Sequence, residues 1–347
     1  MSSPKHAPRR FTHNPEPGPD TGVFDLSEAR PGPPDAQLPD AGGSRLIALP
    51  KRRYTRPPRI ATGLKAIDLS CARDTVSVAC SAEDISATHF RPTIHANSDA
   101  WPPRAGSPAT DCINWAQMTW LETKADAQDC QIGLVALPER SEGEDWDYFW
   151  TAKRAVRFER AFAEPPSVLC WLNSVQFYSD GDPEEAHSYT INAWASEITA
   201  EGCEIHMDGK RGSKFANGTT CYIAWPKHKP HVASGSFSTG DADHHTSDGS
   251  MTHGHITFPP STFARAPTVL VCLRQFDVRA GDGGGGEGGG GGGGGGGEGG
   301  GGEGLRVRVD RDNVDRDGFD WHLGTWGHGG SGRMVSARAT WLAFDFA

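Results

Sequence analysis

Eight cysteines are spread along the 347 residues without a CxxC pair, which removes the spacings that mark zinc knuckles and thiol oxidoreductases. Their positions do not recur along the chain except for Cys170 and Cys272, so the expectation is free, mostly buried thiols in a reducing compartment and no disulfide frame. No apolar run approaches the ~20 residues of a membrane span. Met1 to Arg10 carries charge without the apolar core of a signal peptide. The expectation is therefore a soluble chain, cytoplasmic or secreted without a conventional signal, with no membrane insertion. A phosphate loop, a Ser or Cys nucleophile motif and a recurring carboxylate pair are all missing, which argues against an enzyme and against a bound cofactor. Apolar residues make up only 36% and the formal charge is −10, a balance that repels phosphate backbones and disfavours nucleic acid. The short basic run Lys51-Arg52-Arg53 with Arg56 and Arg59 reads as a strand edge guarded by cations.

What the chain does have is an internal repeat. An aromatic residue is followed four positions on by Pro and six positions on by a β-branched residue at Tyr54/Pro58/Ile60, Phe162/Pro166/Val168 and Phe263/Pro267/Val269. Seven residues later stands another apolar residue, Ile67, Val175 or Phe276. Further on come the pairs Ile94-His95, Ile205-His206 and Trp321-His322, and each copy closes on a Trp: Trp120, Trp225 and Trp341. A period of about 100 residues is domain duplication, since solenoid repeats run to roughly 20 to 50. The expected segments are residues 21–127, 128–230 and 231–347, preceded by a disordered tail over residues 1–20. The Gly/Glu tract 281–304 reads as a neutral loop expansion, because a flexible loop's closure cost grows slowly with length.

Within each copy the apolar residues alternate, as in Tyr189-x-Ile191-x-Ala193 and Leu305-x-Val307-x-Val309, which buries one face of an extended strand. Turn residues such as Asp180-Gly181-Asp182 and Asp317-Gly318 punctuate them, and no amphipathic helix is visible. The expected fold is all-β, with three tandem antiparallel β-sandwiches of about six strands each.

The ordered landmarks Gly235-Ser236-Phe237-Ser238-Thr239, His255-Ile256-Thr257-Phe258, Phe263 to Pro267, Phe276-Asp277, Leu305-Arg306-Val307, Gly318-Phe319, Thr325-Trp326 and Thr340-Trp341 resemble an H-type lectin domain. The second copy is similar from Gly133 to Trp225 and the first from Gly22 to Trp120. The resemblance implies six-stranded sandwiches that assemble in threes and bind galactose or N-acetylgalactosamine without metal near protomer interfaces. It places the sugar-gripping Arg on Arg306, the platform Trp on Trp326, and the carboxylate in the arm before the Ile256 strand, with Asp248 first and Asp241 or Asp243 as alternatives. Copy two departs from the pattern, with Thr190 for the Arg and Lys210 for the Trp, although Asp147 sits where its arm carboxylate belongs. Copy one has Ser77 for the Arg, and Trp101 as a displaced platform. One competent galactose-type pocket, two at most, follows.

The bland readings are an outward ladder position for Arg306, a loop indole at Trp326, core roles for Trp120, Trp225 and Trp341, and structural roles for His95, His206 and His322. His244, His245, His253 and His255 lie among acidic residues, but no pattern of residues that would orient them as ligands is visible, so no metal is expected. Asn313 to Gly318 starts like a Ca²⁺ loop, yet Gly324 stands where Glu is required. Two functions compete: a lectin for galactose-type glycans, with a part in cell adhesion, and a degenerate sandwich scaffold for protein interaction. Because the resemblance implies units that bury apolar surface against one another and the copies here are already linked, an intramolecular pseudo-trimer and hence a monomer are expected.

Overall fold

A computed structural model describes residues 21–29, 42–50, 53–70, 75–95, 113–125, 127, 129–137, 150–178, 188–210, 213, 215–245, 250–279, 304–326 and 333–345. The first segment contributes β1 (Thr21–Asp25), β2 (Gly42–Ser44), β3 (Ile47–Ala48), β4 (Arg59–Ser70), β5 (Thr75–Glu83), β6 (His89–His95) and β7 (Ile113–Thr123). The second contributes β8 (Gln131–Ala136), β9 (Trp150–Arg157), β10 (Ser167–Tyr178), β11 (Ser188–Ser196), β12 (Gly202–Gly209) and β13 (Phe215–Trp225). The third holds β14 (Val232–Ser238), β15 (His244–His245), β16 (Met251–Thr257), β17 (Thr268–Arg279), β18 (Gly304–Asp312), β19 (Gly318–Gly324) and β20 (Arg333–Phe344). The chain is all-β, and the named strands pair antiparallel throughout. No helix among the described residues is long and apolar enough to cross a membrane.

Three sheets result, and none belongs to one segment. Their strand orders are β1-β7-β4-β18-β19-β16-β15, β2-β6-β5-β10-β13-β8 with β3 on β6, and β14-β20-β17-β11-β12-β9. Each sheet joins half the strands of one segment to half of another, first to third, second to first and third to second, which closes a cycle. The seams are β4 with β18, β10 with β5, and β17 with β11.

The long strands carry the same irregularities. Lys65, Asn173 and Arg274 are skipped in the ladders to β7, β13 and β20, and a bulge re-aims the extra residue. In each case it reaches the neighbouring segment: Lys65 Nζ donates to Asp310 Oδ1 at 2.8 Å, Asn173 Nδ2 to the Cys80 carbonyl at 2.7 Å, and Arg274 Nε to the Ala193 carbonyl at 2.7 Å.

Most buried side chains fill the space between sheet faces. A second cluster gathers Ala61 and Leu121 of the first segment, Leu169, Trp171, Cys221, Ile223 and Trp225 of the second, and Leu270, Cys272, Leu342 and Phe344 of the third. Fully burying a Leu, Ile or Phe contributes about 1.5 to 3 kcal/mol, so this cluster holds the segments together by burial that none achieves alone. Thr119 Oγ1 donates to the Val271 carbonyl at 3.0 Å and Thr340 Oγ1 to the Cys170 carbonyl at 3.4 Å, crossing between segments in the same way. Cys80, Cys170, Cys221 and Cys272 are buried free thiols, and burial pushes Cys170 and Cys221 up to about 12. Cys71 and Cys112 lie outside the described residues.

The glycine that opens each segment is explained by contact. A Cβ at Gly22 would stand 2.7 Å from the Trp120 ring and one at Gly235 2.9 Å from Trp341, and one at Gly133 would run into the Tyr222 ring. The position equivalent to Trp120 and Trp341 is thus Tyr222. Trp225 lies three residues on, in the second cluster with Phe344.

Candidate functional site

The seam between the first and third segments concentrates polar chemistry. Alternation in β18 sends Leu305, Val307 and Val309 inward and leaves Arg306 and Arg308 on the outer face. Arg306 stands in register opposite Asp68 of β4, and its Nε donates to Asp68 Oδ1 at 3.1 Å. Asn114 Nδ2 donates to the same oxygen at 3.0 Å. The two side chains are 26% and 12% exposed, half-sheltered yet reachable. Among the described residues Asp68 Oδ2 and Arg306 Nη2 take no partner, so an acceptor and a donor remain available side by side.

Arg306 Nη1 also donates to the Trp326 carbonyl at 3.5 Å. The Trp326 ring meets Trp115 edge to face, with centroids 5.6 Å apart at 87°, and the Arg308 guanidinium carbon lies 5.6 Å from its centroid. A half-buried indole held this way loses little freedom on contact with a ligand. Behind it, Trp115 Nε1 and Gln117 Nε2 donate to Asp25 at 2.9 and 2.7 Å. Burial alone would raise the Asp310 carboxyl, but Lys65, with the Arg311 amide and the Arg308 charge, outweighs it and holds the group below the usual range. The guanidinium and carboxylate are therefore fixed before any ligand arrives, as specific recognition of a hydroxyl pair requires.

The equivalent positions at the other seams are filled from within. Asp277 faces Thr190, accepts from Thr190 Oγ1 at 3.0 Å and from Lys210 Nζ at 3.1 Å, and keeps 7% exposure. Gln176 faces Ser77 and accepts from Asn217 Nδ2 at 2.9 Å. Among the described residues neither seam offers an Arg fork or an indole.

The structure brings Arg306 and Trp326 together. Asp248, Trp101 and Asp147 lie outside the described residues. Asp241 caps its own turn, accepting from Ser238 N and Oγ at 2.8 and 2.7 Å, and Asp243 bonds by its amide to His253. Ser250, just beyond the arm, accepts from the Thr325 amide at 2.8 Å, next to Trp326. Sequence reasoning missed Asp68, Asn114 and Trp115, which come from the other end of the chain. A signal existed: one residue past the aligned Ile67, Val175 and Phe276 stand Asp68, Gln176 and Asp277.

Among the described residues no group of three or more His, Cys, Asp and Glu could hold a metal ion. His253 and His322 face each other across β16 and β19 and share a hydrogen bond between their Nδ1 atoms.

No curated protein and no solved structure matches the chain. Residues 153–225, which run from β9 through β13, match the H-type lectin domain, a family of non-catalytic carbohydrate-binding modules. The matched stretch contains Thr190 and Lys210, both of which donate to Asp277.

Proposed function

We propose that the protein is a non-catalytic lectin for galactose-type sugars, N-acetylgalactosamine included, with its pocket where the first and third segments share a sheet. The observation that carries the reading is the Arg306–Asp68 pair at 3.1 Å beside Trp326. A sugar ring offers vicinal hydroxyls and a patch of C–H bonds. The fixed guanidinium and carboxylate suit the hydroxyls, an axial one above all, and the indole suits the C–H patch. The match at residues 153–225 supports carbohydrate binding at the level of the family. Asp248 and Trp101 remain part of the proposal, as residues that would complete the pocket from the arm and from the first segment.

The three segments stand in for three protomers in this reading, with a pseudo-threefold arrangement and a monomeric chain. The cyclic sharing of strands supports it, and covalent linkage raises effective concentration to about the millimolar range. A scaffold without sugar binding is the second reading, favoured by the internally satisfied seams at Thr190, Lys210 and Ser77.

A glycan array followed by calorimetry separates the two. Trp326→Ala and Arg306→Ala should each lose on the order of 1 to 3 kcal/mol of binding. Arg306→Lys should weaken binding too, because an ammonium lacks the planar fork, while Lys210→Ala should change nothing. Equal losses at Lys210 and Trp326 would place the pocket at another seam, and an array without galactose-type hits would leave the scaffold.

A further inference from the structure

The second core cluster ends in a cavity of about 260 Å³. Its floor is Leu121, Ile223 and Leu342, one residue from each segment at equivalent places in β7, β13 and β20. Two positions further along the same strands stand Thr123, Trp225 and Phe344, which also line it. Two of those three places hold an aromatic ring and the third holds a threonine. The void exists where the first segment fails to supply the ring.

Thr123 is 7% exposed, and its hydroxyl oxygen is buried without a hydrogen-bond partner. With no surface that a guest could reach, that oxygen takes no part in the hollow, and what Thr123 contributes to the site is the room a ring would fill.

The mouth has a sign. Arg53, Lys124 and Lys229 line it against one lining carboxylate, Asp129. Lys229 pairs with Asp129 at 2.7 Å. Arg53 is 12% exposed, lies 3.7 Å from Glu122 behind it, and stacks over Tyr54 with 5.5 Å to the ring centroid. Lys124 is exposed. On a chain of net charge −10, a cation-rich rim above an apolar floor selects against the prevailing sign. Burial pushes the thiol of Cys130 in the wall up to about 12. The volume falls below the ~300 Å³ at which drug-sized pockets begin, so the part of the guest that is enclosed is small.

We propose that this cavity is a second binding site, separate from the Arg306 seam, for a small amphipathic anion whose apolar body fills the Leu121–Ile223–Leu342 floor and whose carboxylate meets the cations of the rim. The proposal does not depend on sugar binding.

The test is calorimetry on the full chain with sodium octanoate, and with octylammonium chloride as the same tail bearing the opposite charge, both below their micellar concentrations. Octanoate should bind one to one and at least tenfold tighter than octylammonium. Thr123→Phe, which supplies the ring found in the third segment, should abolish binding. Lys124→Glu, at an exposed position, should weaken octanoate about tenfold and narrow the difference between the two probes. Thr123→Ser, which keeps the room, should retain binding. No octanoate binding to the wild-type chain, equal affinity for both probes, or undiminished binding to a folded Thr123→Phe would overturn the proposal. Should Thr123→Phe not fold, Lys124→Glu decides: unchanged octanoate affinity there overturns it as well.

Discussion

Gly63 of β4 tests how tightly the three segments interlock. At its place in the long strand the second segment has Trp171 and the third has Cys272, and all three meet in the second cluster. A Cβ added at Gly63 would stand 2.7 Å from Trp171 Cβ and 2.9 Å from Cys272 Sγ, against a comfortable separation of about 3.5 to 4.0 Å for carbon atoms. Trp171 Cβ is one bond from its backbone, so no rotamer change relieves the clash, and β4 and β10 must part by most of an ångström. Overpacking of that kind costs roughly 1 to 3 kcal/mol. Lost freedom of the unfolded chain returns about 0.4 to 1 kcal/mol when Gly becomes Ala. Gly63→Ala should therefore destabilise by about 1 to 2 kcal/mol net. Gly240, where a Cβ would meet only Ser238 Oγ at 3.6 Å, is the control: Gly240→Ala should be neutral or slightly stabilising. In a Trp171→Ala background, itself costing about 3 to 5 kcal/mol, the vacated indole volume lets the strands shift, and the added cost of Gly63→Ala should fall below about 1 kcal/mol. Urea unfolding followed by circular dichroism and tryptophan emission gives the values, provided the two midpoints coincide. A Gly63→Ala protein as stable as Gly240→Ala, or strict additivity with Trp171→Ala, would refute the interlocked packing.

Strand content was legible because alternation is local: Tyr189, Ile191 and Ala193 are buried in β11 as their spacing demands. The exchange of strands between segments was not, since nothing in the pattern of β18 says whether its partner is a neighbour in its own copy or Leu69 of another. Trp225 shows the same limit. Last-strand apolar residues facing the sheet interior and facing the three-segment cluster look alike in sequence, so Trp225 reads as the counterpart of Trp120 although Tyr222 holds that place against Gly133.

At the candidate site the resemblance supplied Arg306 and Trp326, residues of one segment. Asp68, 238 positions away from Arg306, was out of reach of any reading that kept each copy to itself. The His pairs illustrate a subtler miss. Ile205 pairs with Ala195 and Trp321 with Arg311 at matching distances beyond Thr190 and Arg306, but Ile94 pairs with Cys80, two residues short of the matching place beyond Ser77. His206 and His322 are thus equivalent and His95 is not. His206 stacks on Trp194 and bonds Ser196, a structural role, whereas His322 bonds His253 and Asp312.

Two further outcomes follow from the shared sheets and from that histidine pair. Calorimetric melting should show one cooperative transition, and residues 231–347 produced alone should not fold as a monomer, because β18 and β17 would lose their partners β4 and β11; three separable transitions would contradict the strand order. The second outcome concerns acid. Burial, and then the charge of His322, hold the His253 imidazole below its ordinary value, with His244 acting the same way and Asp312 opposing. The unfolded chain consequently binds more protons than the folded one between the folded value and the ordinary ~6.5, so stability rises with pH through that window. Acidifying below about 6.5 should progressively lower the unfolding midpoint, and His253→Gln should flatten the slope. Asp320, held low by its hydrogen bonds from Asn313 and His255, and Asp310, held low by Lys65, contribute stability that is lost only as pH falls through their depressed values, below the usual ~3.9. The two regions of the profile are separate, and an unchanged slope between pH 5 and 6.5 in the His253→Gln protein would assign the acid sensitivity elsewhere.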